Sequence, residues 1–179
     1  MRSWPAAAAL GALLSAGAAH AAELEPGAKA PEFALAGSDG KEHRLADFAG
    51  REGVVLAWFP KAFTSGCTQE VAALRDSAAA LAAFDVAVFL VSLDSAEKNA
   101  EFAESLGAQQ VLLSDPLGEA AKAYGVVGDS APFAKRWTFY VDRDGVIRAI
   151  DKQVATSTAG RDIAKKLGEL GFPRRKAAD

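Results

Sequence analysis

The chain has very few of the side chains from which enzyme sites and covalent cross-links are usually built. Its 179 residues include one cysteine, two histidines and one methionine. One cysteine excludes an internal disulfide, and no cluster with metal-ligand spacing or phosphate-binding glycine loop is present. The net charge of −3 is small and unclustered. We therefore expect no metal, no cofactor and no nucleic-acid partner.

The chain also lacks a hydrophobic run long enough to cross a bilayer, which takes about 20 residues. Residues 6–18 are apolar and alanine-rich, Arg2 precedes them, and Ala19-His20-Ala21 offers a small–x–small cleavage pattern. These features are typical of a secretory signal peptide, whereas an uncleaved membrane anchor is the alternative. We predict a signal peptide over residues 1–22, one mature domain over 23–179, and export to the bacterial periplasm without a membrane contact after cleavage.

The mature chain alternates strand and helix patterns, as α/β proteins do. Strands are predicted at 31–35, 42–45, 53–59, 85–93, 111–114, 137–141 and 146–150. Helical patterns follow Cys67 as far as Leu81 and recur at 95–106, 118–124 and 159–170. The strand–helix–strand order around Cys67 implies parallel pairing through a right-handed crossover. The pattern predicts a three-layer α/β fold, with a central sheet and helices on both faces.

Cys67 lies where a buried strand has ended and a helix begins. The strand ends at Pro60, and apolar residues recur at helical spacing from Val71 onward. A thiol at a helix start meets unpaired backbone N–H groups and the positive end of the helix dipole, which favour the nucleophilic thiolate. The alternative is that a lone cysteine is simply a small, inert core residue. An unpaired cysteine in an exported chain is otherwise an intermolecular partner or a reactive thiol.

The residues around Cys67 favour the reactive thiol. Pro60, Thr64 and Cys67 form a Pro-x-x-x-Thr-x-x-Cys pattern, and Glu70 follows one helical turn later. This pattern resembles the active-site motif of the peroxiredoxins. The string over residues 60–70 is most similar to the peroxiredoxin Q, or bacterioferritin comigratory protein, branch. The resemblance implies a thioredoxin-like fold with an N-terminal β-hairpin extension and a thiol-dependent peroxidase that serves antioxidant defence.

A second segment carries the same resemblance. Arg136 precedes the strand at 137–141, and residues 136–145 resemble the peroxiredoxin segment that holds an active-site arginine. The family then implies that peroxide oxidises Cys67 to a sulfenic acid, and that Arg136 binds the peroxide and favours the thiolate. It also implies that Thr64 hydrogen-bonds the peroxide, that Pro60 shields the thiolate from water, and that Glu70 holds the arginine. Arg143 and Arg148 are predicted to be surface residues.

The chain departs from this branch in one place. Many members carry a resolving cysteine five residues after the nucleophile, and here that position is Ala72. The Cys67 sulfenic acid must then be reduced by a thiol from another molecule, which is a one-cysteine mechanism. The expected partners are hydrogen peroxide or an organic hydroperoxide and an external reductant, either a thioredoxin-like protein or a low-molecular-weight thiol. The branch implies a monomer or a weak dimer.

Three alternatives compete with this prediction. A disulfide oxidoreductase needs Cys-x-x-Cys, but Thr64 occupies the first position of that motif. A papain-like hydrolase needs a catalytic histidine, and the mature chain offers only His43. A binding or thiol-redox module on the same fold, without peroxidase turnover, stays open at this point because fold does not dictate function.

The segment after the predicted strand 85–93 is predicted to be structural. Asp94 or Ser95 is expected to cap the next helix, with Glu97 as a capping-box partner of Asp94. Asp94, Glu97, Glu101 and Glu104 are interpreted as a solvated helix face.

Overall fold

The computed structural model describes residues 23–128 and 131–175 of the chain. These residues form one mixed sheet of seven strands in the order β2-β1-β5-β4-β3-β6-β7. The strands are β1 Ala34–Gly37, β2 Glu42–Arg44, β3 Gly53–Trp58, β4 Val86–Ser92, β5 Val111–Ser114, β6 Thr138–Val141 and β7 Ile147–Asp151.

Helices cover both faces of the sheet. They are α1 Ser65–Asp76, α2 Ala78–Ala82, α3 Ala96–Leu106, α4 Glu119–Ala123 and α5 Ala159–Glu169, with a 3-10 helix at Leu45–Phe48. The buried residues of α1, α2, α3 and α5 share one apolar cluster, whereas those of α4 and the 3-10 helix share the cluster on the other face. This arrangement confirms the predicted three-layer, thioredoxin-like fold with its N-terminal hairpin β1–β2.

The two central strands determine where the site lies. Every residue of β3 is buried, as its continuous apolar sequence predicts for a strand covered on both faces. β3 and β4 pair in parallel from Gly53↔Val86 to Trp58↔Val91, and α1 and α2 form the crossover between them. Parallel strands end at the same edge of a sheet. The loops that follow Trp58 and Ser92 therefore emerge side by side.

Two local predictions are wrong. The apolar spacing after Cys67 predicts a helix that continues to Leu81, but α1 ends at Asp76 and α2 begins at Ala78. The break lies where α5 approaches α1 closely. At Gly160 of α5 there is no room for a side chain, since a Cβ there would lie only 2.4 Å from the Ala73 carbonyl oxygen and 2.6 Å from Ser77. Apolar spacing alone carries no information about such a tertiary contact.

The predicted capping box of Asp94 and Glu97 is also absent. Ser95 is the N-cap of α3, and its hydroxyl accepts a hydrogen bond from the Lys98 backbone N–H. Asp94 is not part of a solvated face, since only 7% of its side chain is exposed. Its carboxylate instead contacts the loop that follows β3.

The predicted signal peptide, residues 1–22, lies outside the described residues. Within residues 23–128 and 131–175, no helix is both long and apolar enough to span a bilayer.

Candidate active site

Cys67 is the third residue of α1. Thr64 is the N-cap, with extended backbone angles of φ −90° and ψ 154°, and the first helical hydrogen bond runs from the Thr68 N–H to the Thr64 carbonyl. The backbone N–H groups of residues 65–67 consequently have no partner within the helix, and they concentrate positive potential at the thiol. The thiol itself is fully buried in the apolar cluster of the sheet face that α1 covers.

Arg136 reaches this thiol from another part of the chain. β6 pairs antiparallel with β3, with Ala57 opposite Thr138, so the residues just before β6 lie beside the end of β3. One terminal guanidinium nitrogen of Arg136, Nη2, lies 3.3 Å from Cys67 Sγ, and the other, Nη1, donates a short hydrogen bond to Glu70 Oε2. The predicted set Cys67, Glu70 and Arg136 therefore lies together.

The ion pair of Arg136 and Glu70 beside the thiol is largely buried. The Glu70 side chain is 1% exposed and that of Arg136 is 20% exposed. Burial raises the pKa of Glu70 to about 7, and the nearby Arg136 acts in the opposite direction. Burial by itself lowers the pKa of Arg136, but Glu70 and the Cys67 sulfur outweigh it, so the net shift is upward. Arg136 is a permanent cation at the sulfur.

Thr64 and Pro60 lie on the loop that joins β3 to α1. Pro60 is half-buried and follows the last residues of β3, where it ends the strand pairing. Thr64 is exposed, and its hydroxyl Oγ1 donates a hydrogen bond of 2.9 Å to the Lys61 carbonyl. The hydroxyl is thus held by its own loop at the start of the helix that carries Cys67.

Sequence reasoning missed two features of the site. Phe63, between Pro60 and Thr64, has a φ of +64°, a strained conformation for a bulky residue, and its ring packs 4.9 Å from that of Phe102. Thr156, from the loop between β7 and α5, donates a short hydrogen bond to Gln69 beside the site. The backbone strain and the long-range partner leave no signature in residue type or spacing.

The structure does not support the hydrolase alternative. His43 lies in β2, where its ring contacts the Asp39 carboxylate at 3.1 Å and lies 5.1 Å from the Phe89 ring. It is not among the hydrogen-bond partners of Cys67 in the described part of the chain. Arg148 is a surface residue as predicted, exposed and 3.5 Å from Asp142.

A test of the Glu70 environment follows from its raised pKa. A carboxyl group with a pKa of about 7 when folded and 4.5 when unfolded stabilises the fold fully below pH 4.5. That contribution is lost as pH rises through 7. We expect the free energy of unfolding of wild type, relative to Glu70→Gln, to fall between pH 5 and pH 8 in urea titrations. The exposed Glu101→Gln is the matched control. If the difference in free energy of unfolding between wild type and Glu70→Gln is the same at pH 5 and pH 8, the pKa of Glu70 is not raised by burial.

Comparison with known proteins identifies the family of this chain. Residues 26–150 match the model of the AhpC/TSA family. A putative peroxiredoxin of Mycobacterium tuberculosis is 38% identical over 130 residues, which cover 69% of this chain and 82% of that protein. Peroxiredoxin Bcp of Escherichia coli K12 is 35% identical over 140 residues, covering 75% of this chain and 89% of that one.

Solved structures agree with these relatives. The crystal structure of peroxidoxin BcpB from Mycobacterium tuberculosis superposes with a TM-score of 0.73 at 31% identity, covering 83% of this chain and 97% of that one. Peroxiredoxin Q of Xanthomonas campestris superposes with a TM-score of 0.71 at 22% identity, which supports the fold alone, over 76% of this chain and 90% of that one. The chain belongs to the AhpC/TSA family of peroxiredoxins, in the bacterioferritin comigratory protein branch, and is a thiol peroxidase.

Proposed function

We propose that this peroxidase uses a one-cysteine mechanism, with Cys67 as the peroxidatic residue. The observation that carries the proposal is the 3.3 Å contact between Cys67 Sγ and Arg136 Nη2 in a chain with a single cysteine. The contact pairs the only thiol with a fixed cation at a helix N-terminus. A buried structural cysteine needs no such partner.

The chemistry has two stages. The Cys67 thiolate attacks one oxygen of the hydroperoxide, so that an S–O bond forms while the O–O bond breaks. The sulfur loses two electrons to the peroxide, and the leaving oxygen takes up a proton and departs as water or an alcohol. An external thiol then attacks the sulfenic sulfur with loss of water, and a second thiol releases Cys67 as the thiol and leaves the reductant as a disulfide.

Each neighbouring residue has a proposed part in the first stage. The Arg136 guanidinium stabilises the thiolate and the charge that develops on the leaving oxygen. Glu70 Oε2 accepts a hydrogen bond from Arg136 Nη1 and so fixes the plane of the guanidinium. The Thr64 hydroxyl accepts a hydrogen bond from the O–H group of the hydroperoxide, and Pro60 keeps water away from the Cys67 sulfur. These groups act by orientation and electrostatics, which are the main terms in such a reaction.

The second stage requires a partner molecule. Position 72, where a resolving cysteine stands in many relatives, is an alanine in α1. The substrates are hydrogen peroxide and organic hydroperoxides, and the reductant is a thioredoxin-like protein or a low-molecular-weight thiol. The reaction needs one subunit only, and we propose a monomer or a weak dimer.

The oxidation state of Cys67 tests the mechanism. One equivalent of peroxide with dimedone present should give one dimedone adduct, located at Cys67 by peptide mass spectrometry. Without dimedone or reductant, excess peroxide should drive Cys67 to sulfinic acid, because no second thiol in the chain can trap the sulfenic acid. Cys67→Ser should lose turnover and the adduct while keeping the thermal transition. Turnover retained by Cys67→Ser would show that Cys67 is not the peroxidatic residue, whereas a wild type without turnover would favour the non-enzymatic alternative.

The Arg136 fork is tested by a substitution that keeps the charge. Arg136→Lys replaces two directed N–H groups with one ammonium, so it cannot bind sulfur and carboxylate in the same plane. We expect the second-order rate of Cys67 oxidation, measured by stopped flow, to fall by about 10²-fold. Arg148→Lys, on the surface, should react like wild type. Equal rates for Arg136→Lys and wild type would remove Arg136 from the reaction.

We also propose that the protein is exported to the bacterial periplasm, with its signal peptide cleaved after Ala21 or Ala22. Protein isolated from the periplasmic fraction of the producing cell should begin at Ala22 or Glu23, as read by intact mass. A variant with both Ala21→Arg and Ala22→Arg, which places a large side chain at either cleavage position, should accumulate as the uncleaved precursor. A mature protein whose mass includes residues 1–21 contradicts export by this route.

A further inference from the structure

A single peptide group links the site to the buried carboxylate of Asp94, which the sequence offered as one of two candidate helix caps. In the peptide between Lys61 and Ala62, the Lys61 carbonyl accepts a hydrogen bond of 2.9 Å from the Thr64 hydroxyl. The N–H of the same peptide donates to Asp94 Oδ2 at 2.8 Å. A trans peptide is planar, so its C=O and N–H point in opposite directions and rotate together. Whatever fixes the N–H therefore also fixes the carbonyl.

We propose that Asp94 is a positioning residue for the peroxidase reaction, because its carboxylate orients the Thr64 hydroxyl through the Lys61–Ala62 peptide. The proposal rests on the proposed function of Cys67 and Thr64. A threonine hydroxyl has one proton and two lone pairs. When the proton is donated to the Lys61 carbonyl, both lone pairs remain free to accept the O–H of a hydroperoxide. If the Lys61–Ala62 peptide rotated, the Thr64 hydroxyl would lose its acceptor, and its proton could point in other directions.

Asp94 is itself held firmly. Its Oδ1 accepts from Lys98 Nζ at 2.6 Å, and its Oδ2 also accepts from the Ser92 hydroxyl at 3.1 Å. Ser92 is tied in turn to Asn99, a fully buried side chain of α3. Burial pushes the pKa of Asp94 upward, but Lys98 and the Ala62 N–H outweigh it, and the net shift is downward. The carboxylate is therefore ionised at neutral pH.

The ionised form matters for the peptide. A hydrogen bond from an N–H to a carboxylate is roughly twice as strong as one to a neutral acceptor. A charge at the N–H also polarises the peptide and makes its carbonyl a better acceptor for the Thr64 hydroxyl. Asp94 thus strengthens the contact that it orients, although it does not touch the thiol or the substrate.

Neither a helix cap nor a simple salt bridge accounts for the contacts of this carboxylate. Asp94 does not cap α3, because Ser95 does so. A salt bridge with Lys98 alone would leave no reason for the second oxygen to reach across to the loop after β3. The loop also needs support, since Phe63 directly follows Ala62 and has a strained φ of +64°.

The test compares two reactions of the same thiol. Oxidation by hydrogen peroxide requires the oriented Thr64 hydroxyl, whereas alkylation by iodoacetamide does not. We expect Asp94→Ala to slow single-turnover oxidation of Cys67 by about 10- to 100-fold. Its alkylation rate should stay within about twofold of wild type, since the thiol and Arg136 are untouched. Glu101→Ala, which removes an exposed carboxylate from α3, the helix that follows Asp94, is the control and should oxidise like wild type.

Two further variants identify the route. Asp94→Asn keeps an oxygen for the Ala62 N–H but loses the charge, so its oxidation rate should lie between those of wild type and Asp94→Ala. In a Thr64→Val background, Asp94→Ala should have no further effect on oxidation, because the group that Asp94 orients is gone. If Asp94→Ala does not fold, Asp94→Asn in the two backgrounds gives the same comparison.

Each contrary outcome is distinct. Wild-type oxidation rates in Asp94→Ala overturn the inference but leave Cys67 as the peroxidatic residue. An equal loss of oxidation and alkylation makes Asp94 a structural residue only, and additive losses in the Thr64→Val background show that it acts elsewhere. Either result overturns the proposal. A wild-type Cys67 that does not react with peroxide overturns the proposed function, and the inference with it.

Discussion

The arrangement of the site depends on the buried ion pair between Glu70 and Arg136. Glu70 belongs to α1 and Arg136 lies just before β6, and each charge would be costly to bury without the other. Their pairing therefore links the helix that carries Cys67 to the segment that leads into β6. The pair is not saturated, since Glu70 Oε1 is buried without a hydrogen-bond partner in the described residues. Such a site is better arranged to hold a cation at the sulfur than to maximise stability.

The sheet explains why these groups meet at one edge. The antiparallel pairing of β3 with β6 delivers Arg136, and the parallel pairing of β3 with β4 delivers Asp94. Both segments arrive beside the loop that joins β3 to α1. In open α/β sheets, ligands bind beyond the carboxyl ends of the strands, where such loops converge. The site contacts come from three separate stretches of chain, but they converge because of one central strand.

What could be predicted from the sequence follows from the range of each interaction. The all-buried β3 appears as a continuous apolar run, and Thr64, Cys67, Glu70 and Arg136 lie in recognisable local strings. Asp94 could not be found in this way, because an acidic residue before a helix has the pattern of a cap. Its contact with Ala62 depends on the parallel register that sets Trp58 opposite Val91. The helix break at Ser77 likewise depends on the approach of α5 at Gly160, which periodicity does not record.

The strain at Phe63 connects α3 to the chemistry. A bulky residue at a φ of +64° costs of order 1–3 kcal/mol and persists only when its surroundings fix it. Here the neighbours are the Phe102 ring, worth about 0.5–1.5 kcal/mol in such aromatic pairs, and the charged hydrogen bond of Asp94, worth about 1.5–3 kcal/mol. Both come from α3 or the residues just before it, and together they offset the strain. The geometry that precedes Thr64 is therefore maintained by α3 and the residues just before it, which make no hydrogen bond to the thiol. In the proposed mechanism, the oxidation of Cys67 takes place beside this loop, and the reduction that follows requires a partner thiol.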